Sequence, residues 1–316
     1  MSVRILFITS TRVGDAVLST GALAWLLEAY PGARVTIVCG PAAAPLFEAV
    51  PGLERIVILE KRWKSLHWLE LWWRCVATWW DVLVDLRNAP ITYLLATGHR
   101  YRLGRPPEDH RVAQIAGAMG IQGTPPAPRL WMTEGHAARA RELIPEGGPV
   151  LALGPTANWR GKTWPADRFA ELTARLTAPD GPLPGARVAL FGQSHEREPV
   201  ENLVAAIPAD RCIDLIGGPS LLEVHACLQR CRCFIGNDSG LMHIAAAAGI
   251  PTLGLFGPTS ELNYAPWGER GVSVRGVSIR DSYPDNLDNF DFRNTDSLMT
   301  GLTVDQVFAA ARRLLS

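Results

Sequence analysis

Residues 234–259, FIGNDSGLMHIAAAAGIPTLGLFGPT, constrain this chain more than any other stretch. Cys233-Phe234-Ile235 is a short apolar run that ends at Gly236. Asn237-Asp238-Ser239-Gly240 is turn and helix-cap chemistry. An Ala-rich helix is predicted from Leu241 to Ala248, stopped by Gly249 with Pro251 just beyond. Thr252 to Phe256 is apolar again and closes on Gly257-Pro258. The order is strand, loop, helix, strand. A Gly/Ser loop at a helix N-terminus leaves backbone N–H groups unpaired and turns the positive end of the dipole outward. That makes Ser239 and Gly240 an anion site, and the usual anion in α/β proteins is a phosphate. His243 lies four residues after Ser239, on the same side of the first turn. A capped core helix with a buried histidine has the same spacing.

The same alternation runs through the chain. Strands are predicted at Val3–Thr9, Arg34–Cys39, Glu54–Leu59 and Val82–Leu86, with helices from Asp15 to Tyr30, Ala42 to Val50 and Lys61 to Trp80. Residues 122–149 are rich in Pro and Gly and read as an interdomain connection. A second series follows, with strands at Val150–Leu153 and Ala186–Phe191, a segment Cys212–Ile216, and helices at Asp167–Leu176, after His195 and at Ser220–Arg230. Alternating strands and helices imply parallel sheets covered by crossover helices. The fold class is therefore α/β, with two Rossmann-like, doubly wound domains facing across a cleft. The expected domains are 1–146 and 147–302, with a last helix over 303–316. Ligands in such sheets bind outside the carboxyl ends of the strands, where the Ser10–Asp15 loop lies.

Composition removes several classes. Lysine plus arginine equals aspartate plus glutamate at 31 each, so no global field attracts nucleic acid. No apolar run reaches the roughly 18 residues of a spanning helix. The N-terminus enters a strand directly, without a signal-peptide pattern. Six cysteines with no C-x-x-C pair read as buried or free thiols, which suits a cytoplasmic protein. No His/Cys/Asp cluster has metal-ligand spacing, and the acidic run 281–291 lacks the pattern of a calcium loop. No metal and no resident cofactor are expected.

NDSGLMHIAAAAGIPTLGLFGPT resembles the signature of the ADP-heptose:lipopolysaccharide heptosyltransferases, glycosyltransferase family nine. ILFITSTRVGDAVLST resembles that family's opening strand, loop and Gly-Asp. GKTWPADRFAEL is similar to its K-x-W-P-x-x-x-F-x-x-L. The three motifs stand in the family's order across most of the chain. The resemblance implies the GT-B architecture, with an acceptor-binding N-terminal half and a nucleotide-sugar-binding C-terminal half. It also implies that the last helix can pack back on the first domain. The activity implied is transfer of a heptose-like sugar from a nucleoside diphosphate, ADP first among them, to a lipopolysaccharide-core or other saccharide or glycolipid acceptor. A nucleotide-sugar epimerase of the same architecture and a non-catalytic nucleotide-binding scaffold are the alternatives.

Asp15 follows Arg12-Val13-Gly14, where glycine would ease a strained backbone and the dipole favours a carboxylate. The resemblance makes Asp15 the base. Inverting transfer needs one carboxylate to take the proton from the attacking hydroxyl. Charge building on the leaving diphosphate would be met by the Ser239–Gly240 helix start and by Lys162 in NWRGKTWP. Arg160 is an alternative that sequence does not separate from Lys162, and Thr156 and Asn158 share that loop. Asp238 either accepts from a ribose or sugar hydroxyl or caps its helix. Glu196 lies where the family often has an acid that reaches the ribose, and Gly217 would let the backbone approach the base. Arg12, Arg102 and Arg105 are the acceptor-side candidates. With a lysine and a helix terminus supplying positive charge, a divalent ion is not required.

Six of the eleven tryptophans fall within residues 63–80. Written at 100° per residue, Leu66, Leu69, Trp73, Val76 and Trp80 form one stripe and Trp68, Trp72 and Trp79 an adjacent one, with His67, Glu70, Arg74 and Thr78 opposite. Either both stripes are buried, or one of them, with Lys61, Arg62 and Lys64, meets the inner face of the cytoplasmic membrane peripherally. Two features depart from the family: residues 260–300 contain no cysteine, and Thr20-Gly21 replaces a proline common after the first helical turn.

Overall fold

The computed structural model describes residues 2–60, 66–104, 108–276 and 296–316. The chain forms two compact units, Met1–Thr133 and Glu134–Ser316.

The first unit is a five-stranded parallel sheet of β1 Arg4–Ile8, β2 Arg34–Cys39, β3 Leu53–Ile58, β4 Trp80–Asp85 and β5 Thr97–Arg102, in the order β3-β2-β1-β4-β5. The inner strands are apolar along their length because helices cover both faces; Ile5, Leu6, Phe7, Ile8 and Leu83 are fully buried. Helix α1, Val13–Ala29, follows β1. Gly14 lies in its first turn and is not among the left-handed glycines, so it relieves no strain there. The Thr20-Gly21 pair has a packing role. Thr20 Oγ1 accepts from Arg129 N at 3.0 Å, and a Cβ on Gly21 would sit 2.2 Å from the Pro126 carbonyl oxygen.

The tryptophan segment is shorter than its pattern predicts. Helix α2 spans Leu66–Cys75, and Trp80 already belongs to β4, with its indole Nε1 donating to Cys75 O at 3.1 Å. The packed face is His67, Leu71 and Cys75, with Trp68 and Trp72 partly covered; Leu69, Trp73 and Trp79 are exposed. Neither expected stripe is buried or exposed as a whole: Leu69 and Trp73 of the first and Trp79 of the second are exposed, while Trp80 is buried and Val76, Trp68 and Trp72 pack on the core, because the helical register ends before the strand at Trp80. Lys61, Arg62 and Lys64 lie outside the described residues. Strand β5 has no apolar run to announce it, being a half-exposed edge strand, TGHRYR.

The second unit holds six parallel strands, β6 Val150–Gly154, β7 Arg187–Leu190, β8 Cys212–Asp214, β9 Cys233–Asn237, β10 Thr252–Phe256 and β11 Gly271–Arg275, in the order β11-β10-β9-β6-β7-β8. Its helices include α3 Arg111–Ala118's successor α4 Glu134–Leu143, then α5 Ala166–Thr177, α6 Glu201–Ala206, α7 Leu221–Leu228 and α8 Gly240–Ala247; α3 itself belongs to the first unit. The division between the two compact units falls at Thr133/Glu134. Helix α4 packs on α7, and Arg230 donates to Ile144 O at 2.6 Å and pairs with Glu146 at 2.7 Å.

The final helix, Val304–Leu315, packs on the core of this unit. Val307 and Ala311 are buried in the same core as Trp164, Phe169 and Leu172, and Arg175 pairs with Asp305 at 2.7 Å. Its apolar face packs on α5 and the β10–β11 side of the sheet. No helix among the described residues is long and apolar enough to cross a membrane.

Candidate functional site

In the second sheet the chain moves outward from β6 through β7 to β8, then restarts at β9 and moves the other way. β6 and β9 are therefore neighbours whose outgoing loops diverge, and that is where doubly wound sheets bind ligands. The loops after β6 and β9 carry the residues singled out by sequence.

Lys162 ends a single 3₁₀ turn, Arg160–Lys162. Its Nζ donates to Asp238 Oδ2 at 2.6 Å, and Thr259 Oγ1 donates to the same oxygen at 2.6 Å. Three loops, those after β6, β9 and β10, thus converge on one carboxylate that is 6% exposed. Asp238 does not cap α8. Its carboxylate holds a lysine that keeps further N–H donors available. Arg160 is separated from Lys162 here: its side chain is 79% exposed and its contact is Asp296 at 3.6 Å. Gly161 between them is required by packing, since a Cβ would lie 2.5 Å from the Trp159 ring.

Ser239 is the N-cap residue of α8 by backbone, φ −148° and ψ 173°, but its side chain makes no capping bond. The Oγ is buried without a hydrogen-bond partner among the described residues. A polar atom left so at a helix start that no side chain caps suits an anionic oxygen. Gly240 opens the helix, and His243, 4% exposed, lies one turn on with its ring 6.4 Å from that of Tyr264.

A second group forms along the β6–β7–β8 side. Thr156 Oγ1 donates to Glu196 Oε2 at 2.9 Å, and that oxygen also accepts from Gln193 N at 2.7 Å in a capping box. Gly217 N donates to Gly192 O at 2.9 Å, and Gly217 has φ +77° against Ser194. The structure thus brings Thr156, Glu196 and Gly217 together, and Lys162, Asp238 and Ser239 together. Asn158 is exposed and makes no side-chain hydrogen bond among the described residues.

Sequence reasoning missed two groups. Asn237 was read as turn chemistry, yet it is the last residue of β9 and fully buried. Thr259 closes the GPT tripeptide, and nothing local marks its hydroxyl as a partner of Asp238.

In the first unit, Asp15 lies in the first turn of α1, partly exposed, and its Oδ2 accepts from Ser10 Oγ at 3.5 Å. Ser10 Oγ in turn accepts from Arg12 N at 3.2 Å, while the Arg12 side chain is exposed. Arg102, at the end of β5, donates to Thr92 Oγ1 at 3.0 Å, pairs with the buried Asp85 at 3.7 Å, and lies 4.0 Å over the Tyr93 ring. Asp85 at the end of β4 is another residue the sequence reading passed over. Arg105 lies outside the described residues.

The six cysteines are free thiols. Burial pushes Cys39 up to about 12 and Cys75 up to about 11, the latter against the opposing charges of Arg55 and Arg74, so both stay protonated and unreactive. Among the described residues no three His, Cys, Asp or Glu side chains are placed to hold a metal.

A family model described as Glycosyltransferase family 9 (heptosyltransferase) matches residues 108–286, more than half of the chain. The Lipooligosaccharide heptosyltransferase 2 of Haemophilus influenzae is 33% identical over 131 residues, 40% of this chain and 36% of that protein. The chain spans 36% to 49% of the length of four such curated relatives, and 84% of Lipooligosaccharide heptosyltransferase 2 of Campylobacter jejuni, at 24% identity. Among solved structures, E. coli ADP-heptose lps heptosyltransferase II aligns with a TM-score of 0.71 at 21% identity, over 99% of this chain and 98% of that one. E. coli heptosyltransferase WaaC with ADP aligns with a TM-score of 0.73 at 18% identity, over 98% and 99%. These likenesses show the fold, the GT-B class of two parallel-sheet α/β domains.

Proposed function

The chain belongs to glycosyltransferase family 9, and from that membership we propose that it is an inverting, metal-independent heptosyltransferase. Its donor is a nucleoside-diphosphate heptose, with ADP as the nucleotude-derived leaving group, and its acceptor a lipopolysaccharide-core or related saccharide. The observation that carries this reading is Lys162, held 2.6 Å from Asp238 beside the uncapped start of α8 at the switch point of the second sheet. The relatives' names support the donor, since one solved neighbour is named an ADP-heptose lps heptosyltransferase and another is a complex with ADP.

In the proposed reaction an acceptor hydroxyl oxygen attacks the anomeric carbon of the donor. The C–O bond to the diphosphate breaks, and ADP departs with that electron pair. Asp15 takes the hydroxyl proton, as a general base must. Lys162, the α8 N–H groups and Ser239 Oγ receive the charge that builds on the diphosphate. A diphosphate leaves without protonation, so a second carboxylate of the glycosidase kind is not needed. Glu196 with Thr156, and the backbone at Gly217, serve the ribose and base; His243 and Asn158 border the donor, and Arg12, Arg102 and Arg105 serve the acceptor.

The exposed Leu69, Trp73 and Trp79 are proposed to touch the inner membrane surface, bringing the protein to a lipid-linked acceptor. The test is incubation with ADP-heptose and a heptose-free core acceptor, with and without a chelator, followed by NMR of the new anomeric centre. Inverted product formed in the presence of chelator supports the reading. Nucleotide-sugar conversion without acceptor, or no product with any nucleotide heptose, overturns it.

A further inference from the structure

The loop 155–164 carries Thr156, Asn158, Arg160 and Lys162, yet its regular structure amounts to the one 3₁₀ turn at Arg160–Lys162. A lysine on so irregular a segment would sweep a wide volume unless the loop ends were fixed. One side chain fixes both. Asn237 Oδ1 accepts from Trp164 N at 3.0 Å, and its Nδ2 donates to Pro155 O at 2.8 Å. Asn237 is 0% exposed, so these bonds meet no competing water.

The requirement on side-chain chemistry is narrow. One group must accept from a main-chain N–H and donate to a main-chain carbonyl on opposite ends of a ten-residue segment. A short carboxamide has an acceptor and donors on one rigid plane. Aspartate would lack the donor, and a serine or threonine hydroxyl is too short to span both. The next residue, Asp238, then holds the lysine of the same loop at 2.6 Å. Consecutive residues of one strand end thus clamp the loop's base and its tip.

We propose that Asn237 is a positioning residue for the donor diphosphate: by clamping Pro155 and Trp164 it sets where Asp238 presents Lys162. This rests on the reading of Lys162 as a diphosphate group. It touches no reacting atom itself and acts only through the loop.

The test is a double-mutant cycle on the full chain, with ADP affinity measured by calorimetry and donor and acceptor KM measured in the transfer assay. Asn237→Ser and Asn237→Thr are both neutral, so neither adds charge beside the nucleotide; the threonine variant serves if the serine variant does not fold. Asn237→Ser is expected to weaken ADP binding and raise donor KM by about tenfold, leaving acceptor KM unchanged. In a Lys162→Met background the same change is expected to alter ADP affinity less than about twofold. Equal losses in both backgrounds overturn the proposal, as does a lowered melting temperature with unmoved ADP affinity and donor KM. If Lys162→Met alone leaves ADP affinity unchanged, the diphosphate reading fails and the inference falls with it. If Lys162→Met weakens ADP but the Asn237 effect is additive, only the inference fails.

Discussion

Lys162 Nζ lies 2.6 Å from Asp238 Oδ2, although 76 residues separate them in the chain. The pair is 19% and 7% exposed at its side chains, far enough from water for its geometry to matter. A carboxylate so placed lowers the mobility of the ammonium but leaves its remaining N–H donors for a ligand. Thr259 shares the same oxygen, so the lysine is held by a group that is itself held.

This arrangement separates the two basic residues of the loop. Lys162→Met is expected to weaken ADP binding by about tenfold or more, as expected when a bond between a charged donor and an anion is lost. Arg160→Met is expected to change it by less than about threefold, because its ion pair with Asp296 is exposed. Calorimetric titration of both variants with ADP checks this, and the reverse ranking would reassign the diphosphate contact.

Asp15→Asn preserves shape and the hydrogen bond from Ser10 while removing the base. Transfer is expected to fall by about 10²–10⁴-fold in kcat. ADP affinity should stay near that of the unaltered protein. Retained turnover would remove Asp15 from the proposed chemistry.

Gly217 has φ +77°, and a Cβ there would meet Ser194 Cα at 2.8 Å. Gly217→Ala is expected to cost about 1–2 kcal/mol from the left-handed backbone alone. Urea unfolding measures this. Because Ser194 begins the turn that carries Glu196, the variant should also weaken nucleotide binding.

His225 on α7 is 2% exposed, and burial pushes its imidazole down to about 4, with the Ile244 backbone opposing. Between about pH 6.5 and 4 the unfolded chain then binds a proton that the folded chain refuses, so folding stability falls as pH falls across that window. The contribution is on the order of 3 kcal/mol. His225→Gln should flatten this part of the acid limb in denaturant midpoints measured from pH 7 to pH 4. An unchanged slope would show that the imidazole titrates normally.

The tryptophan segment gives a paired test. Leu71→Ala, at 1% exposure, is expected to destabilise the protein by about 2–5 kcal/mol. Trp73→Ser, at 69% exposure, should change stability by no more than about 0.5 kcal/mol. The same Trp73→Ser change, combined with Trp79→Ser, should reduce retention on anionic vesicles; undiminished retention would place membrane contact elsewhere.

The local sequence determined the elements whose pattern is self-contained. Apolar runs such as Ile5–Ile8 and Leu253–Phe256 are strands because both faces of a parallel sheet are covered. The Gly-Asn-Asp-Ser-Gly run marks the passage from β9 to α8, although no side chain in it caps the helix. The strand-helix alternation and the two sheets were legible for that reason. Strands β5 and β11 were not, since edge strands such as TGHRYR carry little apolar signal. In the tryptophan segment the helix over α2 was legible, but the buried His67 and the turn into β4 at Trp80 are tertiary decisions, and they split both apolar stripes between buried and exposed residues. The destination of the last helix was likewise set by the apolar face it found on α5.

At the site, sequence supplied the residue types and tertiary structure assigned their partners. Asp238 as cap or ligand contact, and Arg160 against Lys162, were left open because adjacent positions on a loop look alike in a sequence. Strand order gives them different surroundings. By placing β6 beside β9 and β9 beside β10, the sheet brings Lys162, Asp238 and Thr259 to one point and leaves Arg160 in solvent. Hydrogen bonds over such separations depend on which strands are neighbours, and no local pattern encodes that.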